Sequence, residues 1–443
     1  MSRLGYTLLV ILLAVESLAC SLMAQTSSGE QISASARRPE GIAMMSKDNP
    51  DISLKGREEG VQYASSLDGT GLIPMDSTAT THILLGATAS GAWDSNPDNL
   101  GAGVSSGAYI LSPYLGLQIN TIRTQYLLQY QPTITGYTAS AYSNRAMNIG
   151  SVTAIRNVND RWKWDLRAAG SYGQDTIRLL APQQTVVVGE IAGIGPNAAS
   201  YLPNAGTVTY IDGTLGANYK RSERDSLQIR AGNSFTHYTG LSKNNSIATT
   251  NISYDHALSP VLGSFIYEQN SFYYGTIHCA SLGGGVGLKW QARERTALSL
   301  SGGPQFNTSS CGGKQNFSFS TAFSTRLSEK SQIYLLAARQ PTASYLGPGL
   351  WQMSASGGYQ RQVTAIGTVS VDVGYVGSDT LTTTSSYQGL YFSCIYRYYL
   401  NRGFNISYSY RGYVGNSGGI SNTRNVALFS VSWTPGAGRI FQR

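Results

Sequence analysis

The sequence predicts an all-β chain, an up-and-down antiparallel β-barrel that crosses a membrane with about 18 strands, 16 being the smaller alternative. Three observations carry this expectation. Only 13% of the 443 residues are charged, while glycine (50) and tyrosine (29) are abundant. Soluble domains average roughly 25% charged residues. Past the N-terminus no apolar run approaches the roughly 20 residues of a transmembrane helix, which removes both ordinary alternatives. From Thr81 onward, apolar and polar residues alternate with the period of a strand. Tight polar turns then recur at intervals of roughly 35 residues, the repeat of two strands and a loop.

The N-terminus reads as an export signal over residues 1–24. Arg3 is a thin positive region, residues 8–15 (LLVILLAV) are an apolar core too short to span, and Leu22-Met23-Ala24 offers a cleavage site after Ala24. The alternative is a degraded lipobox, Ser17-Leu18-Ala19-Cys20, which would leave Cys20 as a lipidated terminus. Residues 25–80 are rich in Ser, Gly, Asp, Glu and Lys with few aromatics, and read as a flexible periplasmic segment, a small plug being the alternative. The barrel is expected over 81–434 and a tail over 435–443.

Tight turns are expected at 120–123, 157–160, 221–224, 257–260, 293–295, 328–330, 362–365 and 400–402. Longer connections are expected at 94–106, 138–145, 175–206, 239–243, 275–280, 308–314, 341–348, 379–384 and 415–421. In barrels of this kind short turns face the periplasm and long loops the outside, and an even strand number leaves both ends of the barrel on the periplasmic side. The clearest unit is 387–413. Leu390, Phe392, Cys394, Tyr396 and Tyr398 share one face, and after the turn at Asn401-Arg402-Gly403 the same face continues through Phe404, Ile406, Tyr408 and Tyr410. Trp162, Trp164 and Leu166 oppose Lys163, Asp165 and Arg167 in the same way, with the two Trp placed for an interfacial girdle.

A barrel of this pattern turns its polar faces inward. Arg156, Lys163, Arg167, Lys220, Arg230, Lys289, Arg326, Arg397, Arg411 and Arg424 are assigned to polar faces, as are Asp165, Asp212, Glu268 and Asp372. With a net charge of +8, a basic lumen would favour anions by focusing the field. Arg167, Arg230, Lys289, Arg397 and Arg411 are the lumen candidates, the alternative being solvated wall residues with no selected solute. Tyr114, Tyr391 and Tyr413 could stack on sugar rings, or simply belong to the wall. Cys279 and Cys311 fall in consecutive outer loops, and an oxidising periplasm predicts a disulfide between them, two free thiols being the alternative. Cys394 is expected reduced and lipid-facing.

Chemistry finds no foothold. His82, His237, His256 and His278 are scattered, no zinc spacing or CxxC exists, and Gly283-Gly284-Gly285-Val286-Gly287 lacks the Lys-Ser/Thr of a phosphate loop. No catalytic residue, cofactor or metal is expected. One segment does carry a resemblance. Trp93-Asp94-Ser95-Asn96-Pro97, a Gly/Ser stretch, and Leu111-Ser112-Pro113-Tyr114-Leu115-Gly116-Leu117 resemble the opening of bacterial outer-membrane barrel porins associated with exopolysaccharide and exosortase loci. That resemblance implies an outer-membrane pore or export channel, for polysaccharide or a small anionic solute. Many barrels of that group end on an aromatic that assists assembly; here Trp433 ends the last strand and 434–443 follow. The expected partners are outer-membrane lipid and lipopolysaccharide, the barrel assembly machinery and the solute, with no nucleic acid. The competing functions are a non-conducting structural or adhesive barrel, with 175–206 as a surface or inward-folding loop, and a membrane-embedded hydrolase.

Overall fold

The computed structural model describes residues 81–98, 103–121, 123–174, 187–188, 191–192, 206–239, 244–275, 278–292, 295–342, 350–380, 387–401, 403–417 and 420–434. The expected export signal over 1–24 with Cys20, the expected periplasmic segment 25–80 and the expected tail 435–443 lie outside them.

Eighteen antiparallel strands close one barrel. They are β1 (Thr81–Asp94), β2 (Ser106–Asn120), β3 (Thr124–Tyr137), β4 (Arg145–Asn157), β5 (Trp162–Gln174), β8 (Thr207–Lys220), β9 (Asp225–Tyr238), β10 (Asn244–Ala257), β11 (Leu262–Tyr274), β12 (Cys279–Ala292), β13 (Thr296–Asn307), β14 (Gln315–Ser328), β15 (Ser331–Thr342), β16 (Leu350–Thr364), β17 (Gly367–Thr380), β18 (Tyr387–Asn401), β19 (Phe404–Ser417) and β20 (Ile420–Trp433). A separate two-stranded piece pairs β6 (Val187–Val188) with β7 (Ile191–Ala192). Each barrel strand pairs with its neighbour in sequence, and β1 closes on β20. The tight turns fall at one end, together with Thr81 and Trp433, and the longer connections at the other. One expected long connection, 415–421, is absent: β19 runs to Ser417 and β20 begins at Ile420. Its Gly, Asn and Ser read as loop but keep the strand ladder to within two residues.

Period two decides which side chain goes where. Exposed outer positions are apolar, including Leu115, Leu128, Ile134, Leu166, Ile229, Leu288 and Phe317, while the alternate positions bury Ser112, Thr133, Ser171, Thr214, Gln305, Ser407 and Ser430. A bilayer supplies no hydrogen bonds, so only a closed ladder can cross it as sheet. This wall, apolar outside and polar inside, places the chain in the outer membrane. Trp162 stacks with Trp164 (centroids 6.4 Å apart) and packs on Tyr219 (4.6 Å) at the turn end, as an interfacial girdle requires.

The seam between β1 and β20 is shorter than the other pairings. It runs only from Ala87↔Trp433 to Asp94↔Val426. Side chains reinforce it: Ser90 Oγ donates to Ser430 Oγ at 2.8 Å, and Thr88 and Ser432 hydroxyls pair at 3.0 Å. At the loop end the Ser95 amide donates to the Asn425 carbonyl (2.9 Å), and the Asn425 amide to Ser95 Oγ (2.8 Å).

Two assignments from residue type are corrected by phase. Glu268 points outward. Its neighbour Tyr267 is hydrogen-bonded to Ser301 and Ser318 on the inner face, and Ile266, in phase with Glu268, is exposed outside. Arg156 falls in phase with outward Val152 at the turn-end rim of β4.

Candidate functional site: the barrel lumen

The lumen is lined by side chains that lie along the wall rather than projecting freely. A recurring device makes this feasible: a glycine on a middle strand leaves a saddle, and residues on the strands either side meet across it. Asp165, Gly216 and Arg230 form one such row across β5, β8 and β9. Arg230 Nη2 lies 4.0 Å from Asp165 Oδ1, and a Cβ on Gly216 would sit 2.4 Å from that oxygen. Tyr334, Gly358 and Asp372 form a second row across β15, β16 and β17, with the Tyr334 hydroxyl donating to Asp372. Gln269, Gly283 and Gln305 form a third, in which Gln305 Nε2 donates to the Gln269 carbonyl at 3.4 Å. Lys289 reaches Asp255 over the Phe265 ring, its Nζ 4.9 Å from the ring centroid. Near the loop end Arg145 pairs with Asp98 and lies over Tyr137, while Arg424 grips Asp94 with Nε and Nη2.

All five lumen candidates face inward, but they do different work. Arg230 is only 4% exposed, so it belongs to the wall and to Asp165. Lys289 is tied to Asp255. Arg397 and Arg411, in phase with the buried Ser393 and Ser409, are half-buried on the inner face of β18 and β19, and Arg167 is half-buried on β5. Arg411 stands opposite Ser393, and two pairs higher Tyr391 stands opposite Tyr413. Tyr114 is buried and accepts from Gln129 Nε2 at 3.0 Å. The saddle glycines went unread in the sequence, and so did the ion pairs of Asp94, Asp98 and Asp255 with cations distant in sequence, which only strand register brings together.

Short hairpin β6–β7 lies against β13 and β14, five to seven strands round the wall from β5 and β8, which flank it in sequence. The rest of 175–206 lies outside the described residues. At the same end Cys279 and Cys311 are joined in a disulfide, Cα atoms 5.3 Å apart, with Cys311 in a single 3-10 turn (Ser309–Cys311). Cys394 is free and half-buried, in phase with outward Phe392. Alkylation followed by intact-mass measurement is expected to add two more groups after reduction than before. The cross-link closes a loop of 32 residues, and its removal is expected to cost about 2–4 kcal/mol of stability.

Among the described residues no group of three or more His, Cys, Asp or Glu is placed to hold a metal ion. At the turn-end rim one polar knot stands out. Asp225 accepts from Ser222 Oγ (2.6 Å) and Tyr254 Oη (2.6 Å) and meets His256 Nδ1 at 2.8 Å. These hydrogen bonds, Ser222's first, hold its carboxyl below the ordinary carboxylate range. A depressed pKa stabilises the fold above the unfolded value, near 3.9, and that contribution is lost as pH falls further. Asp225→Asn is therefore expected to flatten the acid side of the stability curve below about pH 4, as read by thermal unfolding.

No family model and no curated protein matches this sequence. Solved barrels of similar outline include the outer membrane protein opdK from Pseudomonas aeruginosa (9% identity, 80% of this chain and 98% of that chain, TM-score 0.45). OccK7 (OpdD) from the same organism has 12% identity over 81% of this chain and 99% of that one, also at 0.45. The siderophore receptor PirA from Acinetobacter baumannii has 8% identity over 82% of each chain, at 0.43. A likeness of this order does not extend to solutes or mechanism.

Proposed function

We propose that this chain is a passive outer-membrane channel whose polar lumen favours small anionic solutes. One observation carries the reading: a closed ladder turns its polar side chains inward around the whole ring, as the walls of water-filled barrel channels do. Anion preference rests on the excess of cations on the inner face, with Arg397 and Arg411 half-buried on the inner face of β18 and β19. Water-filled pores select by the sign of such rings. Passage of a polysaccharide, which the resemblance of 93–97 and 111–117 implies, would use the half-buried inward Tyr413 as a stacking surface, with the buried Tyr391 behind it as part of the wall.

Reversal potentials in a salt gradient test the sign. The wild-type channel is expected to prefer chloride over potassium. The double variant Arg397→Glu/Arg411→Glu is expected to move the reversal potential toward cation preference. A potential that does not move would remove the basic lumen and leave the pore. A second reading, a barrel that conducts poorly, draws on hairpin β6–β7 lying against the far wall; it is favoured if conductance rises when residues 187–192 are deleted.

A further inference from the structure

We propose that the outer wall around Glu268 is an interface on which a second copy of this chain packs, the second copy's Arg339 meeting the Glu268 carboxylate so that barrels close head to tail into a small ring. The proposal rests on the barrel's seat in a membrane and not on what passes through its lumen.

Glu268 is the seventh of thirteen residues in β11, so it sits at mid-depth. Among the described residues it is the only carboxylate on the outer face of a strand away from the strand's ends. Facing hydrocarbon, a charged side chain at this depth is disfavoured, and the penalty falls only toward the interfaces. Lipid headgroups lie about 15 Å away at either interface, out of reach of its carboxylate. Among the exposed apolar side chains Ile252, Ile266 and Val286, a stripe of polar groups runs from Glu268 along the outer wall. Asn270 Nδ2 donates to Glu268 Oε1 at 2.8 Å and lies 3.4 Å from Thr250 Oγ1; beside them Ser246 Oγ donates to Asn233 Oδ1 at 3.0 Å. Gly284 stands opposite Glu268 in the register and leaves no side chain between the carboxylate and an approaching wall. Small residues of this kind let membrane segments approach closely, with polar groups bonding between them.

Arg339 supplies the complement. It pairs in register with Phe319 and Met353, and it shares the outer face with Leu335, while Leu336 and Ala338 point inward and are buried. Its guanidinium lies over the Trp351 ring, 5.4 Å from the centroid, which leaves N–H groups for a carboxylate. Counted from the turn end, Arg339 is the ninth residue of β15 and Glu268 the seventh of β11. Two residues along tilted strands amount to about 5 Å of height, within reach of an arginine side chain. The two strands lie four apart in a wall of eighteen. That fraction falls between a sixth of the circumference, the spacing of contact faces in a ring of three, and a quarter, the spacing in a ring of four. Heterologous contacts close when the rotation fits.

The test uses the full-length barrel in detergent and in lipid nanodiscs, with native mass as readout and the heat-dependent gel shift to confirm folding. Wild type is expected as a ring of three or four copies. Glu268→Arg alone and Arg339→Glu alone are expected to raise the concentration for half-assembly about tenfold or more; the double reversal is expected to restore it. Should the reversals fail to fold, Glu268→Gln and Arg339→Gln serve in their place, together with Ile266→Cys/Ala337→Cys in a Cys394→Ser background. Oxidation of that pair is expected to give a ladder of cross-linked copies. Monomeric wild type, a single reversal that leaves assembly intact, or no cross-linked ladder would overturn the proposal. A monomer that still conducts would do so while leaving the channel reading in place.

Discussion

Replacing Arg424 by alanine is expected to lower the unfolding free energy of the barrel by about 3–5 kcal/mol, the cost of stranding one partner of a buried ion pair. Arg424 donates from Nε to both Asp94 oxygens at 3.1 Å and from Nη2 to Oδ2 at 2.6 Å. The Asp94 side chain is 7% exposed, so it cannot turn to water when the guanidinium is removed. Its one other described partner is the Asn96 amide, at 3.0 Å. The position magnifies the loss. The β1–β20 seam is the shortest pairing in the ring, and a barrel with an open seam exposes two edges to lipid. The folded gel band is expected to convert at a distinctly lower temperature in Arg424→Ala than in wild type. The neutral pair Asp94→Asn/Arg424→Gln should recover part of the difference. An unchanged transition would mean that backbone pairing alone closes the seam.

Gly303→Val is expected to prevent a folded barrel from forming. Strands β12 and β13 approach each other closely here, where the ladder skips two pairs between Gly283↔Gln305 and Val286↔Gly302 without a change of register. A Cβ on Gly303 would lie 2.0 Å from the Gly284 carbonyl oxygen and 2.5 Å from the Gly285 Cα. Both are backbone atoms, held by ladders on each side, and cannot move as a side chain end would. Overpacking of this kind exceeds the roughly 1–3 kcal/mol typical of added methylenes in a core. Gly91→Ala is the matched control, since a Cβ there meets nothing within 4 Å, and it is expected to fold as wild type. Normal yield of heat-modifiable Gly303→Val would contradict the close approach.

These glycines show why some of the molecule was legible in the sequence and some was not. The run at 283–287 reads correctly as strand, because no Lys-Ser/Thr pair follows it, but the reason it must be glycine lies in the neighbouring strand. Strand phase was legible wherever apolar and polar residues separate cleanly, as in 387–413, where Leu390 and Phe392 face out and Ser393 and Arg397 face in. It failed at Glu268 because β11 carries aromatic residues on both faces, Phe265 and Tyr267 inside and Phe272 outside, so hydrophobicity loses its period there. The turn ladder was legible because loop closure between antiparallel neighbours is local. That locality also made the Cys279–Cys311 pairing readable, since consecutive outer loops must lie side by side. Pairing of Arg230 with Asp165, or of Arg424 with Asp94, was not readable, because it depends on register accumulated across strands and on a ring that closes.

Single-channel recording on the refolded full-length chain in a planar bilayer tests the central claim most directly. Discrete, stepwise conductance increments are expected on insertion, of similar size in successive events. A folded, heat-modifiable protein that inserts and leaves the bilayer electrically sealed would contradict a water-filled lumen.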